Sequence, residues 1–395
     1  MLLFHLLLIA QNSYYSVPQV DAPELATFGP HDVGVRTIEV IHKQQADILK
    51  LDMATKQAPL YDRPLKLEIW YPAVLGAGEK AHTMYESPMV GRAARPGMPA
   101  SFQFAGKALR DAKPKEGAKY PLIIVSHGYP GSRTFLSYLT ENLASKGYIV
   151  AAIDHTDSVF GEVKAFQSTL VNRAPDQLFV LETLTTQKDL FVSGLIEAGQ
   201  VAIIGYSMGG YGAMASGGAA YNASSGMLKA LPLPKLTTPS NLKAIVAIAP
   251  WGAAPPIEAW SQESAKGLKV PSLFIVGDND DVSGFEQGVK KLYNWSTSSN
   301  RCLLVYQNAR HNVGGNPAPA GVALDFSAKE SFEEPVWRKD RITAINQHFI
   351  TAFLDGVLKG DATKQSFLAP GEKGAWKGFQ KRWALGFDLG CQAGQ

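Results

Sequence analysis

The sequence predicts an α/β fold, a mostly parallel central sheet flanked by helices, on three observations. Short apolar runs alternate with stretches of helical spacing in a βαβα order. Most of those runs are apolar on both faces, the mark of a parallel sheet covered on both sides by helices. Apolar residues make up 46% of the chain and charged residues 18%, the composition of a chain with a large core rather than long disorder. At 395 residues the chain has the length of two average domains, but α/β folds carry such lengths in one enlarged domain. The expected division is an N-terminal segment over residues 1–20 and one domain over 21–395.

The elements follow in order. MLLFHLLLIA (residues 1–10) reads as the apolar core of a secretory signal, although no Lys or Arg precedes it and no Ala-x-Ala site follows. A buried N-terminal segment is the alternative. The run is too short to cross a bilayer as a helix, so no integral span is expected, and the location is read as secreted or periplasmic, with the cytoplasm as the alternative. LKLEIWYPA (65–73) alternates like a strand. PLIIVSHG (121–128), YIVAAIDH (148–155), VAIIGYS (201–207), LKAIVAIAP (242–250), SLFIVGDND (272–280) and CLLVYQNARH (302–311) are the nearly continuous runs. Residues 134–146 place Phe135, Leu136, Leu139 and Leu143 at helical spacing and end at Gly147, a good C-terminal cap. A second helix is expected over 336–358, with Ile342, Ile345, Phe349 and Phe353 on one face. Residues 80–119 and 217–241 break the rhythm and read as lid-like insertions or surface loops.

A formal charge of +3 from 38 basic and 35 acidic residues, with no dense basic stripe, gives no reason to expect nucleic acid. The spacing of Cys302 and Cys391 matches no metal motif and neither demands nor excludes a disulfide; a bond formed in an oxidising compartment would pin the C-terminal tail to the last strand. Asp154, His155 and Asp157 end a strand, but residue types without geometry do not make a metal site. No metal and no cofactor are expected.

Gly205-Tyr206-Ser207-Met208-Gly209 fits Gly-x-Ser-x-Gly after a strand and before small residues that can open a helix. A turn sharp enough to push a serine out from the sheet edge forces strained angles and close strand–helix contact, which side chains at 205 and 209 would obstruct. Serine needs a base. His311 follows a strand in a polar, Gly-rich loop; His155 also ends a strand but precedes Ser207, against the order nucleophile, acid, base. For the acid that orients the histidine, Asp278, Asp280 and Asp281 compete after Gly277. Acyl transfer also requires donors for a tetrahedral oxyanion: the main-chain N–H of Met208, and that of Tyr129 in His127-Gly128-Tyr129 after an earlier strand. Trp251, Val282 and Tyr206 are candidates for the substrate cleft.

HGYPGSRTFLSYLTENLASKGYIVAAIDH, GYSMGGYG, IAPW, VGDNDDV and ARH together resemble the α/β-hydrolase fold. The likeness is to its dienelactone-hydrolase-like and platelet-activating-factor acetylhydrolase-like branch, and to bacterial cutinases and polyester hydrolases. The resemblance covers about residues 65–358. It implies a Gly-x-x-Asp acid, which selects Asp280, a Ser207–Asp280–His311 triad with oxyanion donors Tyr129 and Met208, and a cleft lined at Trp251 and Val282. The implied reaction is hydrolysis of carboxylic esters, small or polymeric, through an acyl-enzyme. An amidase or peptidase using the same triad, and a non-catalytic binding protein of this fold, are the other classes. The chain departs from dienelactone hydrolases in having serine rather than cysteine as nucleophile, and from all of these families in its two insertions.

Overall fold

The computed structural model describes residues 17–89, 100–164, 166–298, 300–319, 322, 326–371 and 374–393. The N-terminal apolar run and the middle of the first insertion lie outside these residues. Nine principal strands build the central sheet: β1 (Asp32–Ala46), β2 (Leu60–Val74), β3 (Tyr120–Ser126), β4 (Ile149–Asp154), β5 (Ile196–Tyr206), β6 (Leu242–Ile248), β7 (Ser272–Gly277), β8 (Asn300–Tyr306) and β9 (Phe387–Ala393). Their order is β1-β2-β4-β3-β5-β6-β7-β8-β9, and Leu109–Arg110 and Lys113–Pro114 add short pairings beside β1 and β2. Strands β4, β3, β5, β6, β7 and β8 run parallel, whereas β1, β2 and β9 pair antiparallel. This is the α/β-hydrolase fold.

The predicted runs are the parallel strands, and their double-sided apolarity has the expected cause. Leu122 and Ile124 of β3 face one core layer and Ile123 and Val125 the other. One layer packs under α2 (Phe166–Thr186) and α3 (Met208–Ser216). The other packs under α1 (Ser137–Ser145) and α4 (Lys339–Leu358), where Ile342, Ile345, Phe349 and Phe353 are buried as the spacing predicts. Fully burying such a side chain contributes roughly 1.5–3 kcal/mol. Both predicted helices start later than expected, at Ser137 and Lys339.

In the first insertion Thr83–Pro88 and Ser101–Gly106 form a hairpin whose Tyr85 and Phe104 pack into the core beside α1. The second insertion buries Leu228 and Leu231 and is tied to the end of α3 by Thr238 Oγ1 donating to the Ser216 carbonyl, 3.0 Å. Cys302 and Cys391 sit opposite each other in the β8–β9 register and are disulfide-bonded, their Cα atoms 4.0 Å apart. Among the described residues no helix is long and apolar enough to cross a membrane. Parallel register gathers the C-terminal ends of β3, β5, β6, β7 and β8 at one edge of the sheet, and every singled-out site residue lies at that edge or just beyond it.

Candidate active site

Ser207 occupies the turn between β5 and α3 with φ 52° and ψ −112°, a conformation that costs a non-glycine residue of order 1–3 kcal/mol and persists only where its surroundings impose it. The surroundings are visible. Ser207 N–H donates to the Ile248 carbonyl at 2.8 Å, and Trp251 N–H donates to the Ser207 carbonyl at 3.2 Å. The flanking glycines are obligatory: a Cβ on Gly205 would stand 2.1 Å from the Gly209 carbonyl oxygen, and one on Gly209 2.0 Å from that of Ser126.

Beyond β7, Asp280 is buried and its carboxylate meets His311 Nδ1 at 2.9 and 3.1 Å. Asp280 Oδ1 also accepts from the N–H groups of Val282 (2.9 Å) and Ser283 (2.8 Å). Burial pushes this carboxyl up, but the His311 hydrogen bond, the imidazole's charge and the two N–H groups outweigh burial and hold it below the usual carboxylate range. The two rival acids are engaged elsewhere: Asp278 accepts from Asn308 N–H at 2.7 Å, and Asp281 pairs with Arg310. The loop carrying His311 closes over Tyr206, whose hydroxyl donates to the His311 carbonyl at 3.2 Å and whose ring lies 5.2 Å from the imidazole. Gly314 permits this approach, since a Cβ there would reach within 2.4 Å of the Tyr206 ring. Among the described residues no hydrogen bond joins Ser207 Oγ to His311, and such links often tighten only once substrate is bound.

Tyr129 and Met208 flank the serine from two sides. The position of a Cβ on Gly128 is 3.3 Å from Ser207 Cβ, which sets the Gly128-Tyr129 turn against Ser207. Among the described residues neither the Tyr129 nor the Met208 main-chain N–H has an acceptor in the chain. Uncommitted donors beside a strained serine can receive a developing oxyanion. Trp251 is buried, with its ring edge-on to Phe166 at 5.3 Å, and Phe166 is edge-on to Tyr129 at 4.8 Å. Val282 is half exposed and lines a groove of about 880 Å³ that continues past His311 to Phe326 and Glu330.

The model for PET hydrolase-like proteins matches residues 113–325, more than half of the 395-residue chain. The chain belongs to the PET hydrolase-like family. A second family, platelet-activating factor acetylhydrolase isoform II, matches residues 15–190. Cutinase est1 of Thermobifida alba is 28% identical over 199 residues, 50% of this chain and 55% of that protein. The bis(hydroxyethyl) terephthalate hydrolase of Streptomyces coelicolor is 24% identical over 190 residues, 48% of this chain and 49% of that protein. The chain spans about half the length of the curated relatives it matches. In fold it resembles a ferulic acid esterase from Streptomyces cinnamoneus, with a TM-score of 0.58 and 22% identity over 86% of this chain and 94% of the other.

In this PET hydrolase-like chain, sequence reasoning missed three residues around the site. Phe166 stands between Tyr129 and Trp251 at the start of a helix that carried no periodic signal. Glu334 accepts from the N–H groups of Arg310 (2.5 Å) and Asn312 (2.6 Å), pinning the backbone on both sides of His311. Arg173 lies buried beneath His127 and Gly128, donating to the His127 carbonyl at 2.6 Å. The rival base His155 is enclosed in the interior: Ser126 Oγ lies 2.7 Å from its Nε2 and Asp176 Oδ2 2.9 Å from its Nδ1. Burial first, then the charge of Arg173, lower its pKa to about 3.

Proposed function

We propose that the protein is a serine hydrolase of carboxylic esters, with Ser207 as nucleophile, His311 as general base and then general acid, and Asp280 as the group that orients the imidazole. The observation that carries this reading is a serine in forced geometry between two uncommitted main-chain N–H groups, beside a buried carboxylate–imidazole pair. In the proposed sequence Ser207 Oγ adds to the ester carbonyl as its proton passes to His311 Nε2. Asp280 holds the Nδ1–H and stabilises the imidazolium. The N–H groups of Tyr129 and Met208 receive the oxyanion. The carbon–alkoxy bond then breaks, His311 protonates the departing alkoxide, and water, activated by the same imidazole, releases the acid and restores the serine.

The cutinase and terephthalate-ester hydrolase names among its relatives, and the groove from Val282 to Phe326, support extended or polymeric esters as well as small ones. The Cys302–Cys391 disulfide supports an oxidising location outside the cytoplasm. We read residues 21–395 as one catalytic unit with two insertions. The test is a panel of p-nitrophenyl esters of rising chain length run beside anilides and peptides, together with fluorophosphonate labelling. Ester turnover and labelling that both vanish in a folded Ser207→Ala variant are expected. Activity on anilides alone would transfer the reading to amide hydrolysis, and absence of both turnover and labelling in the wild type would reject an enzyme.

A further inference from the structure

Resting on the ester-hydrolase reading, we propose that buried Arg173 is a positioning residue for the oxyanion hole: it holds the Gly128 carbonyl inward and thereby aims the Tyr129 N–H at the reacting carbonyl.

The geometry is a chain of donors running from α2 to the turn after β3. Arg173 is 1% exposed. Its guanidinium donates to the His127 carbonyl at 2.6 Å, to the Gly128 carbonyl at 3.3 Å and to Ser158 Oγ at 2.8 Å. Among the described residues no carboxylate is in salt-bridge contact with it. A buried cation without a contacting counter-ion is costly, and main-chain carbonyls are what it has in exchange. The Gly128 carbonyl has a second donor. His127 Nε2 accepts from the His155 main-chain N–H at 3.2 Å, which leaves the proton of the neutral ring on Nδ1, 2.7 Å from the Gly128 oxygen. Burial and the neighbouring Arg173 keep His127 neutral by driving its pKa well below the ordinary histidine value.

The Gly128–Tyr129 peptide is trans, so its N–H points opposite to its C=O. Fixing the carbonyl inward with two donors therefore fixes the Tyr129 N–H outward, on the side where Gly128 abuts Ser207. Hydrogen bonding to a carbonyl also polarises its peptide unit and strengthens its N–H as a donor. A peptide group free to rotate would have to reorganise at every turnover; this one is set before substrate arrives.

The experiment uses the full chain with Arg173→Met, Arg173→Gln and Arg173→Lys, and Tyr85→Phe as a control that removes buried hydrogen bonds to Trp70 and Glu141 away from the turn. Loss of one oxyanion donor typically costs 100- to 1000-fold, so a misaimed donor is expected to lower kcat on p-nitrophenyl acetate by about 10- to 100-fold with little change in KM. Affinity for a trifluoromethyl ketone, which mimics the tetrahedral intermediate, should fall by the same factor as kcat/KM. Lys should recover part of the loss, and the control should keep kcat whatever its melting temperature. A folded Met or Gln variant with wild-type kcat and wild-type ketone affinity overturns the proposal. So does a loss of stability matched by the control's with no selective loss of ketone binding. If Met does not fold, Gln and Lys carry the comparison. A crystal structure of the Gln variant reads the orientation of the Gly128 carbonyl directly, and an unmoved carbonyl counts against Arg173 even if the ester reading itself has failed.

Discussion

Asp280→Asn is the most discriminating single change at the site. Asp280 Oδ1 faces two fixed main-chain donors, the N–H groups of Val282 and Ser283 at 2.9 and 2.8 Å, so the carbonyl oxygen of an asparagine must take that place. Its amide NH2 then replaces Oδ2, 2.9 Å from His311 Nδ1. A donor there requires a lone pair on Nδ1, which moves the ring proton to Nε2, the atom that accepts from Ser207 in the proposed mechanism. Trapping the wrong tautomer in this way costs about 10⁴-fold in kcat, roughly 5 kcal/mol of transition-state stabilisation. The variant is isosteric and keeps its main-chain hydrogen bonds, so circular dichroism should match wild type and melting near neutral pH should fall only by the carboxylate's own contribution. Because the folded carboxyl is held below its unfolded value of about 3.9, its contribution to stability is present above that value and lost as pH falls through the lower folded one. Asp280→Asn should therefore flatten the acid limb of the stability profile. Asp278→Asn and Asp281→Asn lack contact with His311 and should leave kcat within a small factor. A folded Asp280→Asn enzyme within about tenfold of wild-type kcat would refute the orienting role and the tautomer argument with it.

Three further outcomes are expected. Tyr129→Phe removes only the hydroxyl that donates to the Lys164 carbonyl and should leave kcat nearly unchanged, whereas Tyr129→Pro deletes the N–H and should cost about 2.7–4 kcal/mol in kcat/KM, checked on protein that circular dichroism shows folded. Phe166→Ala should open the space between Tyr129 and Trp251, raising kcat/KM for bulky aromatic acyl esters relative to acetate; an unchanged ratio would remove Phe166 from the acyl site. Cys391→Ser, opening a link across 89 residues of sequence, should lower stability by roughly 4–5 kcal/mol on chain-entropy grounds, and dithiothreitol should lower the wild-type melting temperature without affecting the variant; free thiols in the exported protein would contradict the pairing.

The inner parallel strands were legible because both of their faces are buried, which leaves an uninterrupted apolar run that no exposed strand produces; β8 has one face only half-buried and was legible through Leu303 and Val305, which still pack against the core. Strand β1 is long, but it lies near the edge of the sheet and mixes buried Val33 and Val35 with exposed Glu39 and Ile41, so it carries no such signal. Strand β9 is held in place by the antiparallel register with β8 and by Cys391 more than by its own apolarity. Helix α2 was hidden for a different reason. Asn172, Arg173, Asp176 and Gln177 are buried on it, and a helix whose inner face binds carbonyls and an imidazole does not show an apolar stripe. The triad candidates were legible as residue types at strand ends, and Asp280 over its neighbours through family resemblance. Glu334 and Phe166 reach the site from elements with no local motif, so only the folded chain brings them there.

The interior string Ser126–His155–Asp176 has every link closed at hydrogen-bonding distance, while at the rim the serine and imidazole stand unjoined. The chain thus writes the same three residue types twice and makes the better-connected copy inert: no acyl group can reach it, and an imidazole that resists protonation cannot carry a proton away. Slack and vacancy, rather than completeness of contact, separate an instrument of chemistry from a fastener. A serine-directed reagent offered to the native protein should read that difference as one modified hydroxyl and one untouched, and unfolding should erase the distinction by silencing both.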